Sequence, residues 1–237
     1  MAAINDNLQA VAARIREAAR ASGRDPAAIR LLAVTKTVRA AAISEAYGAG
    51  QRSFGENYVQ EALDKQATLA ESGFSRRIEW HLIGPLQSNK TRAAAAGFDW
   101  VHTIDREKVA RRLSEARAAN TLPLNVLVQV NVSGESTKSG VPPAEVAALA
   151  RAVGALPRLR LRGLMAIPEP TPDKQLQLER FREVRALFDS LNDQGLALDT
   201  LSLGMSQDLE AAVAEGSTLV RIGTAIFGER TQAKAAA

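Results

Sequence analysis

Eight short strand-like runs alternate with stretches of helical length along a chain of 237 residues. The first, Leu31-Leu32-Ala33-Val34, has nothing polar in it, as expected of a strand buried on both faces. Residues 53–57, 78–83, 99–104, 124–131, 159–167, 200–203 and 219–222 supply the others. Strands that alternate with helices at this spacing form a parallel sheet, and eight of them favour a closed (β/α)8 TIM barrel. An open doubly wound sheet is the alternative, but no strand is followed by the Gly-x-Gly-x-x-Gly turn that marks its dinucleotide-binding form. No break in composition signals a second domain. One domain is expected over residues 1–230, with the Ala-rich residues 231–237 as a frayed tail.

The helices carry their own punctuation. Leu8, Val11, Ile15 and Ala18 share one face of a first amphipathic helix that should stop near Gly23. Arg14, Arg16, Arg20 and Arg24 fall mostly elsewhere, and a solvated face explains them better than nucleic acid does. Asp25-Pro26 reads as an N-cap followed by proline at the first helical position. Asp105 is expected to cap the helix that carries Val109 and Leu113, and Pro142-Pro143 to precede another. A helix beginning at Asp208 could take its N-cap from Ser206.

Composition narrows the chemistry. Hydrophobic residues make up 46% of the chain, enough for a full core, while aromatic residues at 4% are too few for a base-stacking platform. The net charge of +4 arises from 30 basic and 26 acidic residues that are interspersed, a mildly basic surface that is weak evidence for polyanion binding. The absence of cysteine removes disulfides, zinc–thiolate sites and thiol catalysis. His81 and His102 are far apart in the chain, which argues against a histidine metal site. No apolar run approaches the roughly 18 residues of a membrane span. The opening Met1-Ala2-Ala3-Ile4-Asn5-Asp6 lacks the regions of a signal peptide. The expected location is the cytoplasm, with neither nucleic acid nor membrane as a partner.

In a barrel the C-terminal strand ends converge on the working face. There the sequence places Lys36, Asn57, His81 with Gly84, Thr103, Asn131, Met165, Ser202 with Gly204, and Arg221 with Gly223. An amine leaving a dry sheet is in the setting that favours its neutral, nucleophilic form, although a lysine at a strand end can also simply reach solvent. The turns Gly204-Met205-Ser206 and Gly223-Thr224 follow the seventh and eighth strands, where barrels frequently hold phosphate with backbone N–H groups and hydroxyls. Arg221, between Val220 and Ile222, needs either an ion-pair partner or a ligand. An imine-forming lysine, a phosphate cradle and an arginine in one mouth suggest pyridoxal phosphate, whose ring nitrogen pairs with aspartate or arginine. His81 could be an acid–base group and Glu56 a base, but a satisfied core histidine and a barrel ion pair are the plainer readings. No catalytic residue and no metal site are assigned.

Several blocks resemble a known family. They include Ala33-Val34-Thr35-Lys36-Thr37, Phe54-Gly55-Glu56-Asn57-Tyr58-Val59-Gln60-Glu61 and Trp80-His81-Leu82-Ile83-Gly84-Pro85-Leu86-Gln87-Ser88-Asn89-Lys90. Lys138-Ser139-Gly140, Gly163-Leu164-Met165-Ala166-Ile167, Leu203-Gly204-Met205-Ser206 and the run from Arg221 to Gly228 complete them. Together they are similar to the pyridoxal phosphate homeostasis protein family over nearly the whole chain. The resemblance implies a barrel like the N-terminal domain of alanine racemase, with pyridoxal 5'-phosphate held as a Schiff base on Lys36. It implies that Ser206, Gly223 and Thr224 take the phosphate, with Met205 in the same turn, that Arg221 faces the ring nitrogen, and that Asn57 and Met165 lie beside the cofactor. Many relatives carry a second lysine two residues after the first, where this chain has Val38; Lys138 and Lys90 are the other candidates for handing cofactor on.

The function expected from the resemblance is vitamin B6 homeostasis, meaning storage and delivery of the aldehyde, with pyridoxal phosphate-dependent apoenzymes as recipients. A racemase's second domain supplies a catalytic tyrosine, whereas this chain ends soon after the eighth strand and holds only Tyr47 and Tyr58. That favours a non-enzymatic, monomeric carrier over a racemase or decarboxylase of weak activity. A cofactor-free Schiff-base aldolase is the third reading.

Overall fold

The computed structural model describes residues 2–73, 78–133 and 139–228. Strands β1 (Arg30–Val34), β2 (Ser53–Glu56), β3 (Glu79–Leu82), β4 (Trp100–Ile104), β5 (Leu124–Val130), β6 (Leu159–Ala166), β7 (Thr200–Ser202) and β8 (Leu219–Ile222) form one closed, all-parallel barrel in chain order. Closure pairs Leu32 with Arg221 and Ala33 with Ile222. The ring therefore presents no unpaired edge. Every expected strand is present, with its ends within one residue of the sequence reading. The expected frayed tail at residues 231–237 lies outside the described residues, as does Lys138.

Strand residues alternate between two environments because successive side chains point to opposite faces of a sheet. Ala33, Phe54, Leu82, Val101, Val126, Leu164, Leu201 and Val220 join the main core under the helices. Their neighbours point inward, where Leu32, Ile83 and Leu219 form one cluster and Trp100, Leu127 and Met165 another. Helix α1 (Ala2–Ala21) buries Leu8, Val11, Ile15 and Ala18, as its pattern predicts. It ends because Gly23 takes a left-handed φ of 66°, letting Arg24 N–H reach the Ala19 carbonyl at 2.9 Å.

Helices α2 (Ala40–Gly48), α3 (Val59–Ala70), α4 (Thr91–Gly97), α5 (Glu107–Ala116), α6 (Val146–Gly154), α7 (Lys174–Asp193), α8 (Leu209–Ala214) and α9 (Thr224–Phe227) follow successive strands. Asp25 caps a 3-10 turn, accepting from Ala27 N–H at 2.9 Å, as expected. Two caps differ from the sequence reading. Arg106, not Asp105, occupies the N-cap of α5 and makes no side-chain cap. Asp208 occupies the N-cap of α8, and its Oδ1 instead accepts from Met205 N–H at 2.6 Å. Ser206 is thus free of a capping role. Two of the four α1-region arginines are anchors rather than a solvated face. Arg14 donates to the Ser206 carbonyl at 2.7 Å and pairs with Glu210, while Arg24 donates to the carbonyls of Val213 and Ser217.

Candidate functional site

Lys36 lies two residues beyond β1, in a turn that is held from both sides. Lys65, buried on α3, donates Nζ to the Thr35 carbonyl at 2.7 Å. Glu61, one helical turn earlier on the same face, accepts Thr37 N–H at 2.6 Å and Lys65 Nζ at 2.6 Å. Thr37 itself adopts φ 63°, a left-handed conformation that a β-branched residue rarely takes. Glu56 completes the cluster, with Oε1 accepting from Thr35 Oγ1 at 2.6 Å and Lys65 Nζ at 2.8 Å. Burial raises the Glu56 carboxyl above the ordinary range, against the opposing pull of Lys65. Glu56 is therefore a member of a barrel ion pair, and it orders the backbone around Lys36.

After β7, on the same side of the mouth as β1, Gly204 has a φ of 88°, and a Cβ there would sit 2.5 Å from the Ala212 methyl. The turn that follows carries Met205 and Ser206, tied by Asp208 from within and by Arg14 from α1. Gly223 and Thr224 form the second turn after β8. Arg221 sits beneath both, with only 3% of its surface exposed. Its Nη1 donates to the Ser202 hydroxyl at 2.7 Å and its Nη2 to the Ala166 carbonyl at 2.9 Å. Burial lowers its pKa to about 10, Asp208 being the carboxylate that opposes this. Among the described residues it makes no ion pair, so a hydroxyl and carbonyls, not a carboxylate, hold it in place.

These elements enclose a cavity of about 550 Å³ at the C-terminal end of the barrel. Lys36, Asn57, Met205, Ser206, Arg221, Gly223 and Thr224 all line it. Met165 does not, and packs instead with Trp100 and Leu127 inside the barrel. Neither Tyr47, which stacks under Arg52 at 4.0 Å, nor the exposed Tyr58 reaches it. Lys90 is exposed and lies outside the cavity.

Sequence reasoning missed the fourth wall. Glu169 and Thr171 from the proline-rich loop after β6, and Gln177, Arg180 and Phe181 from α7, close the cavity opposite Lys36. The signal was present: a loop after a strand belongs to the working face, and Gln177 and Arg180 are three apart on one helix. The two histidines are the second omission. Far apart in sequence, they are neighbours in the barrel, with His81 Nδ1 2.9 Å from His102 Nε2. The inference that drew them apart is corrected by strand adjacency, because β3 and β4 pair directly. Among the described residues no cluster of three or more histidine or acidic side chains could hold a metal. No described helix is long and apolar enough to cross a membrane.

The chain matches the family described as alanine racemase, N-terminal domain, over residues 7–231. It is 60% identical over 97% of both chains to the pyridoxal phosphate homeostasis protein of Pseudomonas aeruginosa. The protein of the same name from Escherichia coli K12 is 55% identical over 98% of both chains. Among solved structures, PipY of Synechococcus elongatus PCC7942, determined with PLP bound, superposes with a TM-score of 0.82 at 37% identity, covering 95% of this chain and all of that one.

Proposed function

This chain belongs to the pyridoxal phosphate homeostasis protein family, and we propose that it holds pyridoxal 5'-phosphate in the barrel-mouth cavity, on Lys36, to store and deliver it in the cytoplasm rather than to turn substrates over. One observation carries the proposal. A lysine amine, two glycine-containing turns with hydroxyls, and a buried arginine face a single cavity.

The residues present fit the group. Lys36 supplies an amine that can condense with an aldehyde, losing one water to give a Schiff base. Ser206 and Thr224 offer hydroxyl donors, and Gly223 keeps its turn free of a side chain where phosphate oxygens would approach, while Gly204 lets the other turn pack against Ala212. Arg221 commits both Nη1 protons and one Nη2 proton to protein acceptors, leaving Nε and the second Nη2 proton to donate to a ring nitrogen. Asn57 lines the cavity beside Lys36, Met205 lines it beside Ser206, and Met165 keeps a packing role beneath. Pyridoxal phosphate, when bound, supplies an electrophilic aldehyde and a pyridine ring able to withdraw electrons from an attached amino acid. A permanently protonated arginine at the ring nitrogen would keep that nitrogen unprotonated and weaken the withdrawal. Neither tyrosine is placed to exchange a proton at the cavity, which supports a carrier over a racemase. Lys36 is the cavity's lysine among the described residues. Transfer to apoenzymes by the monomer would therefore proceed by release from it.

The test compares the visible spectrum of purified protein with that of Lys36→Ala, before and after borohydride. The proposal expects a yellow wild type that borohydride bleaches and labels at Lys36, and a colourless variant. A wild type that takes up no added pyridoxal phosphate overturns it. Prolonged incubation with single amino-acid enantiomers in deuterium oxide separates carrier from racemase, since incorporation at Cα would demonstrate turnover.

A further inference from the structure

A row of polar side chains runs through the barrel from the cavity to its opposite end. Arg221 Nη1 lies 2.7 Å from Ser202 Oγ, which lies 3.0 Å from His102 Nδ1. His102 Nε2 lies 2.9 Å from His81 Nδ1, and His81 Nε2 lies 3.3 Å from Glu79 Oε2. Ser202, His102 and His81 are fully buried. At the far end, Glu79 also accepts from Ser53 Oγ at 2.7 Å and from Trp100 Nε1 at 2.6 Å, and it pairs with Arg30.

Donor counting fixes the direction of the row. Arginine has no acceptor, so Ser202 Oγ accepts from it, and the single serine proton goes to His102 Nδ1. The His102 proton then sits on Nε2 and is donated to His81 Nδ1. The His81 proton sits on its own Nε2, which faces the Glu79 carboxylate at 3.3 Å in a charge–dipole contact without hydrogen-bond alignment. Every donor points the same way, and both imidazoles are neutral. Protonating either ring would set a donor against a donor and break the row. Burial pushes both imidazoles below the usual histidine range, and for His102 the charges of Arg221 and Arg30 add to it. The charged groups acting on His81 are Glu79, Arg30 and Asp99.

We propose that Ser202, His102 and His81 are positioning residues for Arg221, forming a one-way hydrogen-bond row that runs from the guanidinium at the cavity to His81, whose Nε2 faces the Glu79 carboxylate at 3.3 Å at the other end of the barrel. An aligned chain of hydrogen bonds polarises its members, so the anion at Glu79 strengthens each bond up to the one that orients Arg221. The row itself stands on geometry alone; its bearing on a ligand rests on the cofactor reading of the cavity.

The experiment therefore has two arms. In the first, nitrogen-15 NMR of histidine-labelled, ligand-free protein reads both rings. The row requires two neutral rings with their protons on Nε2, and no titration between about pH 5.5 and 8. A ring protonated at Nδ1, or one titrating in that range, overturns it. In the second arm, pyridoxal phosphate is added to wild type, His102→Gln, Ser202→Ala and Glu79→Gln, and the visible band is followed against pH. The expected result is an affinity weaker by about threefold or more in the His102 and Ser202 variants, and a band whose pH midpoint in Glu79→Gln moves by about half a unit or more. Ser202→Ala removes one oxygen only, which keeps this arm decisive if His102→Gln does not fold. Unchanged affinity and midpoint in folded variants overturn the coupling. A wild type with no band overturns the cofactor reading instead, and the NMR arm then judges the row by itself.

Discussion

Lys65 Nζ lies 2.7 Å from the carbonyl oxygen of Thr35, the residue that precedes the cavity lysine. The same ammonium bonds Glu56 Oε1 at 2.8 Å and Glu61 Oε1 at 2.6 Å, so all three of its protons are spent. Replacing it with methionine would leave Glu56 buried without its counter-ion. Breaking a buried pair from one side costs on the order of 3–5 kcal/mol. Lys65→Met is expected to lose about that much in urea unfolding, and to retain pyridoxal phosphate less well because the Lys36 turn has lost its clamp. Adding Glu56→Gln should recover part of the stability. If Lys65→Met unfolds at the wild-type midpoint, the clamp contributes nothing.

Gly84 is required by close approach. A Cβ there would lie 2.2 Å from the Asn57 carbonyl oxygen and 2.7 Å from its Cα, and Thr103 pins the turn by bonding the Gly84 carbonyl at 2.8 Å. Gly84→Ala should destabilise by about 2 kcal/mol or more, since backbone must move, and should displace Asn57 from the cavity wall. Gly48→Ala, where nothing lies within 4 Å, is the control and is expected to melt at or slightly above wild type. Equal melting temperatures for the two variants would refute the steric argument.

Thr37 holds a left-handed φ of 63° beside the cavity lysine. Non-glycine residues in that region carry strain of about 1–2 kcal/mol, and asparagine tolerates it better than a β-branched residue. Thr37→Asn should raise stability by about 1 kcal/mol, read as a melting temperature a few degrees higher. A lower melting temperature would mean that the bond from Thr37 Oγ1 to the Lys36 carbonyl outweighs the strain.

Glu79 makes stability depend on pH. Burial alone would raise its pKa, but the His81 ring facing it, the Ser53 hydroxyl and the charge of Arg30 hold it well below the ordinary carboxylate range. A carboxyl depressed in the folded state contributes stability that is complete above its unfolded pKa and is lost as the pH falls toward the folded value. The stability gap between wild type and Glu79→Gln should therefore be widest near neutrality and shrink below about pH 4. Denaturant titrations at several pH values measure it, and a gap that is constant with pH would remove Glu79 from the acid limb.

Much of the fold was legible because several strands, β1 and β5 above all, write themselves as largely apolar runs between helical stretches. Lys36 and Arg221 were legible for the same reason: each is a cation in or just after such a run. Met165 shows where the strand-end rule loses resolution. Strand β6 runs to Ala166, and the residue that lines the cavity is Ile167, while Met165 turns into the barrel. His81 and His102 were hidden because separation along the chain says nothing about adjacency across a sheet. Arg180 and Gln177 were hidden because a helix reveals which residues share a face but not which loop that face will cover. The Arg14 anchor reads as solvated charge in the sequence, because its partner Ser206 lies 192 positions further on.

That anchor also bears on how the molecule comes into being. Arg14 holds the Ser206 carbonyl, and Asn7, also on α1, donates to the Ile226 carbonyl at 2.9 Å in α9. The helix that precedes the barrel thus waits for the turn after β7 and the segment after β8 before either bond can form. Contacts of such sequence separation are slow to find. The turn around Ser206 cannot reach its final shape in a partly translated chain, so a nascent barrel has no finished mouth to offer a reactive aldehyde. Ligand capture becomes a property of the completed ring alone.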